Sequence, residues 1–180
     1  VDTMRVKLIA MIISAAITAA GGCFYAQYFL FVDAAIAYVN AIGGNDDGVR
    51  ISGMMASGNV VMGNYIGFFP DGINPNRNGS YGVHLIGAPN NQIGNNTTAG
   101  RNVISANDYG VFFSGVNVAQ NLIENNYIGT DATGLVDVGN ETTGIYIFDE
   151  SSANTIRENV VSGNGADGMR ELQGENRGAV

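Results

Sequence analysis

The 180-residue sequence contains one cysteine, three prolines, no tryptophan and few charged residues. A single cysteine excludes a scaffold held together by disulfides. Charged residues make up 13% of the chain, whereas a globular domain usually has roughly 25%. The 8 Lys and Arg residues are outnumbered by 16 Asp and Glu residues, giving a net charge of −8. No basic surface for nucleic acid is therefore expected.

Glycine and asparagine are abundant instead, with 26 and 22 copies, and nearly all of them follow residue 44. So much glycine and asparagine would be typical of a disordered chain. However, 46% of the residues are hydrophobic, with many Ile, Val, Phe and Tyr, which excludes that class. The composition indicates a β-rich domain with many turns.

The N-terminal segment has a different character. Residues 8–32 contain no charged residue, and Arg5 and Lys7 precede them, which is typical of a secretory signal peptide. The run is also long enough to span a bilayer as a helix, so a retained anchor or a filament stem formed by residues 4–42 is the alternative. We therefore expect residues 1–44 to be an apolar, helical signal, anchor or stem segment, and the protein to be extracellular or on the cell surface.

An internal repeat decides the fold prediction. A segment that begins with glycine and then alternates apolar residues occurs at Gly48–Ser52, Gly82–Ile86, Gly110–Ser114, Gly144–Phe148 and Gly168–Arg170. Among the first four copies, alternate ones start 62 residues apart. A second motif, Asn59–Gly67, recurs 62 residues later as Asn121–Gly129. Such short strands are stable only when copies stack in register, so the repeat predicts a solenoid of parallel strands with asparagine at the corners.

The motifs N-x-I-x-x-N-Y-I-G-T-D-A-T-G at Asn121–Gly134 and T-T-A-G-R-N-V-I-S-x-N at Thr97–Asn107 resemble the right-handed parallel β-helix repeat proteins of bacteria, within the pectate-lyase-like superfold. The resemblance covers residues 48–168. It implies an all-β, right-handed parallel β-helix of about four to five coils. We place this domain at residues 45–169, with a C-terminal tail or cap at 170–180. Most such repeats have no assigned activity, so the resemblance predicts the fold rather than the function.

Strand alternation predicts which side chains face the interior. The inward set is Val49, Ile51, Val83, Leu85, Val111, Phe113, Ile145 and Ile147. In the fifth copy, Met169 and Glu171 would also face inward. Because a lone buried carboxylate is costly, we expect the register to break after Met169.

The outward positions supply the candidate ligand-binding residues. Arg50, His84, Phe112, Tyr146 and Arg170 are predicted to share one column, with Ser52, Ile86, Ser114 and Phe148 in the next column. Aromatic rings flanked by hydrogen-bond donors suit a polysaccharide or a cell-surface glycan. The alternative is an ordinary outer ladder in which the rings pack only on one another. The predicted ligand-binding set is Arg50, His84, Phe112, Tyr146 and Phe148.

The sequence offers no assembled catalytic site. The acidic residues lie mainly in loops, Lys is absent after Lys7, and Asp131 is assigned to a turn. His84 has no Ser or Cys at the spacing of a nucleophilic motif, so no triad is expected. No cofactor is predicted. A Ca²⁺ site has only weak support, because Ca²⁺ needs several convergent oxygen ligands and the carboxylates are scattered over the loops. The leading function is therefore a structural, adhesive or glycan-binding surface protein.

Two alternatives remain open. One is a polysaccharide-acting enzyme, meaning a lyase, hydrolase or epimerase of the pectate-lyase-like fold. The other is a membrane-anchored or self-assembling filament subunit that uses residues 4–42 as a helical stem.

Overall fold

The computed structural model describes residues 40–148 and 151–172, and this part of the chain is all-β. Residues 1–39 lie outside the described residues, so the signal, anchor or stem segment stays a prediction. Among the described residues, no helix is long and apolar enough to cross a membrane. The first strand, β1, already spans Asn40–Ile42, ahead of residue 45, where the sequence places the start of the repeats.

The described strands are short and belong to three parallel sheets. Sheet A contains β1 (Asn40–Ile42), β4 (Asn64–Ile66), β7 (Val103–Ile104), β10 (Tyr127–Ile128) and β13 (Val160–Val161). Sheet B contains β2 (Asp47–Ser52), β5 (Tyr81–Ile86), β8 (Tyr109–Ser114), β11 (Ile145–Phe148) and β14 (Met169–Leu172). Sheet C contains β3 (Val60–Val61), β6 (Gln92–Ile93), β9 (Leu122–Glu124) and β12 (Thr155–Arg157). Within the residues that the structure describes, one 3₁₀ turn is found, Thr98–Gly100, directly before β7.

The chain visits the three sheets in strict rotation. From β2 to β13 it passes from sheet B to sheet C to sheet A four times, and each strand pairs in parallel with its counterpart one repeat away. Val49 is in register with Val83, and Val83 with Val111. The sequence repeat predicts this pairing, and the parallel stacking of its copies is confirmed.

The interior is a column of aliphatic side chains with few aromatic rings. Seven of the eight residues predicted to face inward are buried, with Val83, Leu85, Val111, Phe113 and Ile145 fully inaccessible. Val49 is partly buried and packs against the same core. Sheets A and C contribute Ile66, Ile93, Ile104, Ile123 and Ile128 to this core. Burial of a continuous apolar column stabilises strands that are individually too short to be stable.

Asparagine side chains form hydrogen-bonded ladders at the corners between sheets. In each ladder the Nδ2 of one residue donates to the Oδ1 of the next residue along the stack. One ladder joins Asn45, Asn78, Asn107, Asn140 and Asn164, and a second joins Asn40, Asn64, Asn102, Asn126 and Asn159. A third corner holds Asn59 and Asn91, and Asn121 and Asn154. The corner position of asparagine, predicted from the sequence, is confirmed.

The repeated glycine at or just before the start of a sheet B strand is required by close approach between coils at Gly48, Gly82, Gly110 and Gly144. A Cβ on Gly82 would lie 2.7 Å from the carbonyl oxygen of Gly110 and 2.6 Å from Cγ2 of Ile104. Both distances are well inside van der Waals contact, so a larger side chain would push the neighbouring coil away. The repeated glycine therefore reflects packing along the stack.

The expected break after Met169 is wrong. β14 continues parallel to β11 through Leu172, and Glu171 is in register with Ile147. Every residue of β14 is exposed. Because β14 is the outermost strand of sheet B in the described part of the chain, the Glu171 carboxylate remains hydrated and its burial cost does not arise. Of the predicted tail, residues 170–172 belong to this strand, and residues 173–180 lie outside the described residues.

Candidate functional site

The outer face of sheet B carries the predicted column. Arg50 is in register with His84, His84 with Phe112, and Phe112 with Tyr146. Arg170 follows Tyr146 in β14. Of the neighbouring column, Ser52, Ile86 and Ser114 are also in register. The predicted alignment along the stack is therefore confirmed.

Two further aromatic residues, Tyr81 and Tyr109, join this face. Strict alternation would turn them inward, but both Gly82 and Val83 face the interior: Val83 is fully buried, and a Cβ on Gly82 would meet Ile104. The two inward positions in succession leave Tyr81 and His84 on the same outer side. Their ring centroids are 4.1 Å apart. In these two copies a tyrosine directly precedes the repeated glycine, and this is the sequence feature that could have identified the two residues.

The rings form a continuous packed surface, which we call the aromatic face: Tyr81, His84, Tyr109, Phe112, Tyr146 and Phe148. Along the stack, Tyr81 lies 5.6 Å from Tyr109, and Tyr109 lies 5.8 Å from Tyr146. Phe112 packs edge-on against Tyr146 at 5.1 Å with an interplanar angle of 84°. Edge-to-face contacts at these separations are favourable for aromatic rings. The rings thus stabilise one another across three coils.

The aromatic face is exposed mainly at its margins. Phe148 is 38% exposed, and its ring centroid lies 6.0 Å from that of Tyr146. At the other margin, the Arg50 side chain is 59% exposed, and its Nη1 lies 3.4 Å from Oδ2 of Asp47. The guanidinium of Arg170 lies over the Tyr146 ring, 5.7 Å from its centroid. Cationic donors therefore flank the rings at both ends of the column.

His84 lies beneath the rings in a polar chain. Its Nδ1 is 3.3 Å from Oδ2 of Asp47 in β2, and its Nε2 is 2.9 Å from Oγ of Ser114 in β8. The side chains of His84 and Asp47 are each 9% exposed. No serine lies at motif spacing from His84 in the sequence, but stacking places Ser114 beside it across 30 residues of chain.

The environment of His84 favours its neutral form. Burial among the rings removes water from the imidazole and lowers its pKa below the usual 6.5. The hydrogen bond and negative charge of Asp47 act in the opposite direction, and Arg50 adds a smaller lowering effect. The lower pKa means that desolvation outweighs the carboxylate. Burial likewise raises the pKa of Tyr81, with a contribution from Asp47.

The carboxylates of the loop residues Asp71 and Asp131 accept hydrogen bonds from the backbone of their own loops. Oδ1 of Asp131 accepts hydrogen bonds from the backbone N–H groups of Thr133, Leu135 and Val136. These bonds, together with the hydroxyl of Thr133, lower the pKa of Asp131. The predicted turn role of Asp131 is confirmed. Asp71 accepts equivalent bonds from Ile73 and Asn74. Within residues 40–148 and 151–172, no three His, Cys, Asp or Glu side chains are grouped closely enough to hold a metal ion.

Comparison of the chain with protein-family models, with curated proteins and with solved structures gives no significant match.

Proposed function

We propose that the protein is an exported, right-handed parallel β-helix of four to five coils that binds a polysaccharide or cell-surface glycan on the aromatic face. The rotation of the chain through three parallel sheets supports the β-helix, and the resemblance of residues 48–168 to bacterial repeat proteins supports its handedness. The apolar run at residues 8–32 supports export.

The observation that carries the glycan proposal is the row of rings along the stacking axis. Coils repeat at a spacing of about 4.8 Å, and the rings on successive coils lie between 4.6 and 5.8 Å apart. A linear glycan has a repeating chain of flat, weakly polar sugar faces bordered by hydroxyls. Its rings can pack on the aromatic side chains, while the hydroxyls bond to donors at the margins.

The exposure of each residue predicts its part in binding. Phe148 and the guanidinium of Arg50 are exposed and contact the ligand directly, and the half-buried Tyr146 contacts it beside Phe148. Phe112 is half-buried and holds Tyr146 edge-on. His84, only 7% exposed, supports the rings from beneath. Binding is therefore concentrated at the two margins of the aromatic face.

A glycan array probed with the full-length protein tests this proposal. Wild type is expected to bind at least one linear glycan, and Tyr146→Ala and Phe148→Ala are each expected to weaken binding about tenfold through loss of a stacking platform. Phe69→Ala is the matched control. Phe69 is a 48% exposed aromatic residue in the loop between β4 and β5 and lies outside the aromatic face. Absence of binding to every glycan, or equal weakening by Phe69→Ala, would contradict the proposal.

A further inference from the structure

We propose that Asp47, His84 and Ser114 form a hydrolytic site in which Ser114 attacks acyl esters. The three side chains come from three neighbouring strands of sheet B, β2, β5 and β8. The ester chemistry is independent of the proposed function. The further expectation that the ester is carried by a carbohydrate rests on the proposed function.

The three side chains form one hydrogen-bonded chain in the order that nucleophilic catalysis requires. Oδ2 of Asp47 lies 3.3 Å from Nδ1 of His84, and Nε2 of His84 lies 2.9 Å from Oγ of Ser114. The two ring nitrogens thus serve different partners. This is the arrangement of nucleophile, base and orienting carboxylate that recurs on unrelated folds and is recognised by geometry rather than by sequence position.

Hydrogen-bonding capacity assigns the roles. An ionised carboxylate can only accept hydrogen bonds, so Nδ1 of His84 carries the ring proton and donates a hydrogen bond to Oδ2 of Asp47. Nε2 is then unprotonated and accepts the hydrogen bond from the hydroxyl of Ser114. The lowered pKa of His84 keeps the ring in this neutral form at pH 7. A neutral imidazole beside a serine hydroxyl is the form that can remove its proton.

The proposed base and carboxylate are more buried than the proposed nucleophile. Asp47 and His84 each have side chains that are 9% exposed, whereas Ser114, at the end of β8, is partly exposed. The nucleophile is therefore reachable from solvent while the base and the carboxylate lie beneath it. Phe112 and Tyr81 flank His84, with ring centroids 5.3 and 4.1 Å away. These rings offer an apolar platform for the alcohol portion of the ester.

The reaction balances without any further reactant except water. Oγ of Ser114 bonds to the ester carbonyl carbon as its proton moves to Nε2 of His84. The bond from that carbon to the alcohol oxygen then breaks, and the departing oxygen takes the proton from Nε2. Water attacks the acyl-serine, passes a proton to His84, and Oγ leaves and recovers that proton. The products are an alcohol and a carboxylic acid.

Covalent labelling of the full-length protein tests the site directly. We expect a fluorescent fluorophosphonate to label the wild type, with the adduct located on Ser114 by mass spectrometry of peptides. The same protein is expected to hydrolyse p-nitrophenyl acetate faster than free imidazole does. Ser114→Ala should lose both the label and the hydrolysis. Ser52→Ala is the matched control, because Ser52 is an exposed serine in the same outer column, in register with Ile86.

Asp47→Asn distinguishes a catalytic chain from a structural one. It preserves the shape of the side chain but disturbs the tautomer of His84, and it is expected to reduce the rate of labelling and hydrolysis by about 10²-fold or more. Thermal unfolding monitored by circular dichroism verifies that each variant is folded. A folded Ser114→Ala that hydrolyses the ester at the wild-type rate, or a wild type that the probe labels elsewhere or not at all, would overturn the proposal.

The glycan and ester results can be separated. Ser114→Ala is expected to keep glycan binding, since its substitution leaves the rings in place. A protein that labels at Ser114 but binds no glycan retains the hydrolytic site and refutes the proposed glycan function. A protein that binds glycan but never labels at Ser114 refutes the hydrolytic site alone.

Discussion

Nε2 of His84 lies 2.9 Å from Oγ of Ser114, although the two residues are 30 positions apart in the sequence. Parallel stacking creates this contact, because β5 and β8 are neighbours in sheet B. In a stacked-repeat protein, residues one repeat apart become lateral neighbours on a sheet. A functional group can thus be assembled from single residues of successive coils.

The corner ladder makes the protein sensitive to loss of one amide. Oδ1 of Asn107 accepts a hydrogen bond from Asn78, and its Nδ2 donates to Asn140 and to the carbonyl oxygen of Ser105. Asn107→Ala removes these buried side-chain hydrogen bonds, so we expect a loss of about 3 kcal/mol in the free energy of unfolding. Urea denaturation measures this change.

Asn96→Ala is the control for that measurement, because Asn96 is exposed. It should change the free energy of unfolding by no more than about 0.5 kcal/mol. Equal effects of the two substitutions would show that the ladder does not contribute to stability.

The spacing of the coils predicts a second stability effect. In Gly82→Ala the new methyl group would overlap the carbonyl oxygen of Gly110, at 2.7 Å. We expect the free energy of unfolding to fall by about 2 kcal/mol or more, because a close-packed interior resists added volume. In Gly79→Ala the methyl would meet no atom closer than 3.6 Å, and stability should be nearly unchanged. A tolerated Gly82→Ala would contradict the close approach of these coils.

The buried histidine predicts a pH dependence of stability. Its folded pKa lies below 6.5, so the unfolded chain binds the proton more readily. As pH falls through about 6.5, the free energy of unfolding should therefore decrease, and the decrease should end below the folded pKa. Asp47, Arg50 and Tyr81 are the charged and titratable neighbours of the ring.

Comparing wild type with His84→Gln isolates this contribution. The difference in free energy of unfolding between the two proteins, measured in urea from pH 8 to 5, should shift against wild type as the pH falls. A difference that does not change over this range, or that shifts in favour of wild type, would contradict a lowered pKa.

The sequence is sufficient to predict the stacking and much of the aromatic face. The recurrence of Gly-Val-x-Ile places Arg50, His84, Phe112 and Tyr146 in one column, because counterpart residues of parallel repeats must align. The corner role of asparagine also follows from composition and repeat position.

The remainder depends on local geometry that the spacing does not reveal. Successive inward placement of Gly82 and Val83 breaks the period of two, and this turns Tyr81 onto the outer face. Asp47 is in register with Tyr81, not with His84, and its carboxylate reaches His84 diagonally from the neighbouring strand β2. The sequence pattern places the acidic residues mainly in loops, and it therefore gives no indication that Asp47 contacts His84. The continuation of β14 through Leu172 is likewise not predicted from the sequence. Glu171 remains exposed in this strand, whereas burial at the same position of an interior coil would be costly.

The most direct test of the site is nuclear magnetic resonance of the His84 ring, because His84 is the single histidine of the sequence and its signals need no separation from others. We predict a pKa below 6.5 and, at pH 7, a neutral ring protonated at Nδ1, with both features altered in Asp47→Asn. A ring protonated at Nε2 at pH 7 would contradict the arrangement of Asp47, His84 and Ser114. A pKa of 6.5 or higher would contradict the finding that desolvation of the ring outweighs the effect of Asp47.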